Sequence, residues 1–213
     1  MVMTAKVLVL GAGGRIARWA VDMLGHEKAE LTLLARERTR LPDVPAGARV
    51  IEGDVLDPNV LASALRGRDV VYANLAGNLD ELARHIVAAM NGAGVRRLVF
   101  VTALGIYDEV PGAFGRWNTQ TIGAGTLGTY RSAADAITAS GLDYTILRPA
   151  WLSDKNEIDY EVTQRDEPFR GTTVSRKSVA SVAVEIIKDP ARWVRCDLGV
   201  NKPGTDGDRP VFD

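Results

Sequence analysis

The feature that most constrains the fold is a glycine turn set between a short apolar run and an amphipathic segment: Val7-Leu-Val-Leu10, then Gly11-Ala-Gly-Gly-Arg-Ile-Ala17. The apolar run ends at glycine and suits a parallel strand buried on both faces. Ile16, Trp19, Ala20, Met23 and Leu24 then recur at helical spacing. With Gly11, Gly13 and Gly14 in the turn, a pyrophosphate can approach the backbone N–H groups at the helix start without meeting a Cβ. The register Gly-x-Gly-x-x-Gly would require glycine at 16, where isoleucine stands. Gly-x-x-Gly-x-x-Gly fits at 11 and 14, with Ala17 as a small third member. The strand–turn–helix context makes this a dinucleotide-binding signature, with Arg15 and Ile16 at the helix start as further candidates.

The next strand bears on which dinucleotide. Where NAD is taken, an acidic residue about 20 residues after the glycines bonds the ribose 2′-hydroxyl. Here the run Leu31-Thr-Leu-Leu-Ala ends in Arg36, with Arg38 and Arg40 following. A guanidinium favours a 2′-phosphate by charge and by its forked donors, so NADP(H) is the expected cofactor, with NAD(H) possible. A solvated basic loop is the alternative for these arginines. The missing carboxylate also counts against an S-adenosylmethionine methyltransferase.

With 213 residues, 46% hydrophobic and 25% charged, one α/β domain over 1–213 is expected. A net charge of −1 and scattered arginines give no field for nucleic acid. No apolar run approaches the roughly 20 residues of a membrane span, and the N-terminus runs into a strand without a secretory segment, so the expected location is cytoplasmic. A single cysteine, Cys196, excludes internal disulfides and a cysteine zinc site. His26 and His85 are too few for a histidine metal site and read as surface helix residues; no metal is expected.

Further along, strands are expected at Arg49–Asp57, within Arg68–Gly77 together with its turn, and at Arg97–Thr102, Tyr144–Pro149 and Cys196–Val200. Helices are expected at Asn59–Leu65, Leu79–Asn91, Thr126–Ala139 and Ser178–Lys188. This alternation implies a doubly wound parallel sheet, an α/β fold of the Rossmann type. Ligands of such sheets bind beyond the carboxyl ends of the strands, so the turns at Gly11, Arg36, Asp54, Ala76, Thr102 and Pro149 converge on one crevice. Two segments break the rhythm. Residues 105–125, with Tyr107, Phe114, Trp117 and five glycines, read as a substrate-side lid loop. Residues 151–173, with Ile158-Asp-Tyr-Glu-Val-Thr, read as a small hairpin beside the cleft; aromatic-packed surface excursions are the alternative for both.

Taken together, Gly11-Ala-Gly-Gly-Arg-Ile-Ala, Leu34-Ala-Arg36, Gly53-Asp-Val-Leu-Asp57, Asp69-Val-Val-Tyr-Ala-Asn74, Val101-Thr-Ala-Leu-Gly-Ile-Tyr107, Ser140-Gly-Leu-Asp-Tyr-Thr-Ile-Leu-Arg-Pro149 and Val174-Ser-Arg-Lys-Ser-Val-Ala180 resemble the atypical short-chain dehydrogenase/reductases related to NmrA-like proteins. The resemblance implies that Asp54 and Val55 contact adenine and that Leu75, Ala76 and Gly77 line the adenosine and pyrophosphate side. It also implies that Pro149, Ala150 and the residues to Leu152 lie near nicotinamide. Asp54 could equally be a turn-capping aspartate.

Catalytic members of that superfamily use a serine or threonine, a tyrosine, and a lysine four residues after the tyrosine, whose charge lowers the phenol pKa. Alignment through Tyr107 puts Ala103 at the serine position with Thr102 beside it. Alignment through Ser132-Ala-Ala-Asp135 puts Leu127 at the tyrosine position and Arg131 at the lysine position. Tyr130 is a poor substitute, since helix neighbours diverge by about 100°. Arg131 can bind ribose hydroxyls or an anion but does not readily exchange a proton. Tyr107, Thr102 or water remain as proton donors, with packing or structural hydrogen bonding as the equal alternative for the two side chains. Two readings stand: an NADP(H)-dependent oxidoreductase acting on a small molecule, and a dinucleotide-binding sensor or scaffold without turnover. A nucleotide-sugar epimerase would need a larger carboxy-terminal region.

Overall fold

In the computed structural model, which describes residues 5–41 and 43–212, the chain forms a doubly wound α/β sheet of eight strands. Strands β1 (Lys6–Leu10), β2 (Glu30–Ala35), β3 (Arg49–Glu52), β4 (Val70–Ala73), β5 (Arg97–Val101), β6 (Asp143–Pro149) and, farther along the chain, β10 (Cys196–Asn201) are parallel. The edge strand β8 (Glu161–Thr163) runs antiparallel to β10. The order β3-β2-β1-β4-β5-β6-β10-β8 reverses direction between β1 and β4, the switch point at which open α/β sheets bind ligands.

Both sheet faces are apolar, as parallel strands require. Val7 and Val9 point toward helices α1 (Arg15–His26) and α6 (Arg176–Lys188), which pack on each other. Leu8 and Leu10 point toward α2 (Pro58–Leu65), α3 (Leu79–Ala93) and α5 (Ala124–Thr138). The helix ends follow local chemistry. Asp57 caps α2 by accepting from the amides of Asn59 and Val60, and Pro58 occupies the first helical position. Ser175 caps α6 through Ser178 N at 2.9 Å.

Two expectations are corrected. Residues 105–125 are not one long loop, because Gly112–Ile122 form a helix, α4. Two glycines weaken its propensity, but packing of Phe114 on Trp117 and of Trp117 on Trp151, at ring separations of 6.1 and 4.8 Å, overrides that. Residues 151–173 form no hairpin. β7 (Trp151–Ser153) pairs in parallel with β9 (Thr173–Ser175), and the intervening β8 joins the main sheet instead.

Tyr72 on β4 is fully buried, and its hydroxyl finds no hydrogen-bond partner among the described residues. Burial pushes its phenol pKa far above the usual value. An unsatisfied buried hydroxyl costs more than the packing of its oxygen returns. Tyr72→Phe is therefore expected to raise stability by about 1 kcal/mol, read as a rise in Tm of about 2–4 °C by calorimetry.

Candidate functional site

At the switch point a cleft of about 450 Å³ opens beyond the carboxyl ends of β1 and β4. It brings together Gly11, Gly13 and Gly14 with Arg36, with Asp54 and Val55, and with Leu75, Ala76 and Gly77. The turn is built for close backbone approach. Gly11 lies at φ +73°, a region that favours glycine, and a Cβ there would overlap the carbonyl oxygen of Asn74. A Cβ on Gly14 would come within 2.7 Å of Asn74 Nδ2. Asn74 is itself fixed by its amide, which donates to Leu10 O at 3.1 Å. Gly14 is the N-cap of α1 and has no side-chain capping bond, so the first-turn N–H groups face the cleft end of the helix. Ile16 buries its side chain in the core and can offer a ligand only its backbone. This cradle fits a dinucleotide pyrophosphate.

The charges around the cleft are sorted. Arg36 is exposed on its lining and forms no ion pair among the described residues. The neighbouring Glu37 also lines the cleft, but Arg40 holds it through Nη2 at 3.0 Å and Nε at 3.1 Å. Arg18 in turn donates to the carbonyls of Gly13 and Arg40, tying the turn to this basic loop. Asp54 acts as a turn cap, its Oδ1 accepting from Leu56 N at 2.9 Å. Val55, Leu56, Leu75 and Leu82 form an apolar wall of the kind a flat base packs against.

The other expected residues lie outside this lining. The guanidinium of Arg15 pairs with Asp154, which Arg176 also holds at 2.8 Å. Pro149 and Ala150 are buried at the end of β6, and Ala150 N donates to Val200 O at 2.9 Å. Thr102 is buried, its hydroxyl donating to Leu147 O at 3.2 Å. The Tyr107 hydroxyl donates to Asp197 Oδ2 at 2.6 Å. Burial and the Asp197 charge raise its pKa. Of the two roles open to Thr102 and Tyr107, proton donation and structural hydrogen bonding, the contacts seen here are of the second kind, with each hydroxyl proton engaged by the protein. Arg131 bonds Asp135 at 2.9 Å and lies 4.7 Å over the Tyr107 ring.

Residues 11–190 match the family described as NAD(P)H-binding. The chain belongs to that NAD(P)H-binding family. A Rossmann-fold NAD(P)-binding family protein from Shigella flexneri is 46% identical, with a TM-score of 0.85 over 99% of this chain and 100% of that one. A short-chain dehydrogenase/reductase from Veillonella parvula, solved in complex with NADP, is 30% identical with a TM-score of 0.92 and the same coverage. An NAD(P)H azoreductase from Xenophilus azovorans is 26% identical over 86% of the chain, which spans 64% of the azoreductase's length.

The cleft is also lined by residues that the sequence alone does not single out. Asn74 carries a signal, as a polar residue ending the apolar strand β4. Leu56 and Leu82 carry none, because a cleft-lining leucine and a core leucine look alike in sequence. A second group sits over β6 and β10. Arg148 is fully buried, with its Nε 2.5 Å from Asp197 Oδ1 and its Nη1 on Glu109. Glu109 accepts from the amides of Gly105 and Tyr107, so this ion cluster fixes the turn after β5.

Proposed function

We propose that this NAD(P)H-binding protein is an NADP(H)-dependent oxidoreductase that passes hydride between nicotinamide and a small substrate. It would work as one cytoplasmic domain without nucleic acid or membrane partners. The observation carrying the cofactor choice is the uncompensated Arg36 on the cleft lining, beside a Glu37 whose charge Arg40 already engages. A 2′-phosphate would meet a free guanidinium there, whereas a ribose 2′-hydroxyl would find no free carboxylate on that strand end. The cofactor, when bound, supplies the hydride chemistry, and the chain supplies binding and orientation. The gly-rich cradle would hold the pyrophosphate, and the Val55–Leu75 wall would hold the base.

Calorimetric titration with NADPH and with NADH tests this, followed by NADPH consumption against quinones, flavins and carbonyl compounds. Arg36→Asp is expected to weaken NADPH binding about 10–100-fold, the worth of a charge-assisted bond, while leaving NADH nearly unchanged. Equal weakening of both would remove the cofactor assignment.

The alternative is a dinucleotide-binding sensor without turnover. It is favoured by the engaged protons of Thr102 and Tyr107 and by Leu127 and Arg131 at the positions of the tyrosine and lysine. Tight NADPH binding with no consumption against the whole panel would select it.

A further inference from the structure

Arg15 is the first residue of α1 and follows Gly14, which caps the helix and lines the cleft. An anion is favoured at such a helix start, yet the first turn of α1 holds no acidic residue of its own. A carboxylate reaches Arg15 from elsewhere. Asp154, just past β7, accepts from Arg15 Nη2 through Oδ2 and from Arg176 Nη1 through Oδ1, the latter at 2.8 Å. Arg176 is the first residue of α6, so one carboxylate joins the starts of two helices that pack side by side. Its two cations are held unequally. Arg176 is 15% exposed and also donates to Leu152 O at 3.3 Å. Arg15 is 63% exposed, and its guanidinium has no other partner among the described residues. With Asp154 it borders a hollow of about 470 Å³, whose other walls are Arg18, Trp19, Asp22 and Asp43. An ion pair so exposed contributes little to stability, and Arg15 can leave it at little cost because Asp154 keeps Arg176.

We propose that Asp154 is a place-holder for the cofactor pyrophosphate: it holds the Arg15 guanidinium in the free protein and yields it to the phosphates when a dinucleotide enters the cleft. The inference rests on the dinucleotide cleft of the oxidoreductase reading and adds to it a residue pair that sets affinity. A pyrophosphate seated against the N–H groups of α1 lies at Arg15's own backbone, and rotation about the arginine χ angles brings its forked donors round to it. Two phosphates carry more charge than one carboxylate and accept a guanidinium in the same bidentate way, so the hand-over runs toward the ligand. Asp154 is left with Arg176 alone, and the tie between α1 and the segment after β7 is released. Arg15 and Arg36 then have separate duties. Arg15 meets the pyrophosphate common to both cofactors, and Arg36 meets the 2′-phosphate of one.

The test titrates four proteins calorimetrically with NADPH and with NADH: wild type, Arg15→Gln, Asp154→Asn and the double variant. Asparagine keeps an oxygen for Arg176 but has no charge to hold Arg15. Asp154→Asn is expected to tighten both dinucleotides about three- to fivefold, the release of an exposed ion pair. Arg15→Gln is expected to weaken both about tenfold, the loss of a charge-assisted bond. In the Arg15→Gln background, Asp154→Asn should gain nothing, since no arm is left to free. A gain that persists there would make Asp154 merely a charge that repels anions, and would overturn the hand-over. Adenosine 2′-monophosphate, which has no pyrophosphate, should bind all four proteins alike and still lose affinity in Arg36→Asp. Weaker binding of that probe by Arg15→Gln would put the arm on the wrong phosphate and sink the proposal. If the wild type binds dinucleotides and the variants bind them as it does, this inference alone falls. If no dinucleotide binds any of the four, the oxidoreductase reading falls and takes the inference with it.

Discussion

Replacing Arg148 with methionine is expected to destabilise the protein by about 3–5 kcal/mol, the cost of breaking a buried ion cluster from one side. Arg148 is fully buried, and it is shared between Asp197 and Glu109, which are 3% and 4% exposed. Methionine fills much of the volume but leaves two buried carboxylates without their cation. Asp197 keeps the Tyr107 hydroxyl and Glu109 keeps two backbone amides, so the loss is not that of two bare charges. Urea denaturation should show the midpoint falling by about 2 M with little change in slope. The effect should depend on pH with a definite sign. Burial already pushes the Asp197 carboxyl above the usual range against the pull of Arg148. Without the arginine, its folded-state pKa rises further above the unfolded one. Protons then favour the folded variant, and its deficit should shrink as pH falls from 8 toward 5. A loss under about 1 kcal/mol, or one that does not vary with pH, would mean that the cluster is dispensable. Adding Glu109→Gln and Asp197→Asn should restore part of the stability, because neutral amides do not need the cation.

Arg148 also shows where sequence reading reaches its limit. The strand Tyr144–Pro149 is legible from its β-branched and apolar residues and from the proline that stops it. The arginine inside it is an anomaly whose partners lie 39 and 49 residues away. Nothing local names Glu109 or Asp197. The same holds for β7 and β9. Their pairing is parallel and non-local, so a sequence pattern of alternating residues suggested a hairpin that the chain does not make. Helix α4 was hidden by Pro111, Gly112 and Gly115, which argue against a helix one residue at a time, while the stacked aromatics that hold it come partly from Trp151.

The cleft was far more legible, for a physical reason. Its parts are set by backbone geometry close in sequence: a turn that needs glycine, a helix start, and strand ends that the alternation of elements brings to one edge. Gly11, Gly14, Arg36, Asp54 and Leu75 can therefore be named from spacing and resemblance and found together. The substrate side follows side-chain contacts between distant elements, so Tyr107 and Thr102 could be named without revealing that Asp197 and Leu147 hold their protons.

Gly14→Val is expected to raise the NADPH dissociation constant more than 100-fold, the equivalent of nearly 3 kcal/mol, while leaving the protein folded. Gly14 has φ −68°, open to any residue, so valine meets no backbone strain. Its Cβ meets the Asn74 side-chain amide, which can swing, and lies 3.1 Å from the Gly11 carbonyl oxygen, a tight contact that a small shift of the turn relieves; the rest of the side chain then occupies the cleft space where the backbone N–H groups of α1 are reached. The loss should appear equally with NADH, because the pyrophosphate is common to both cofactors. Gly11→Ala makes the contrast. Its φ of +73° and the Asn74 carbonyl oblige the turn itself to move, so both binding and folding stability should fall, the latter by at least the 1–2 kcal/mol of a left-handed residue. Calorimetric titration and thermal unfolding of the two variants side by side separate the effects. Near-normal binding by Gly14→Val would mean that the turn is kept for its fold alone and that the dinucleotide phosphates are held elsewhere. A loss confined to binding in one variant and shared with stability in the other identifies the glycines' two duties: Gly11 shapes the turn, and Gly14 clears the way to it.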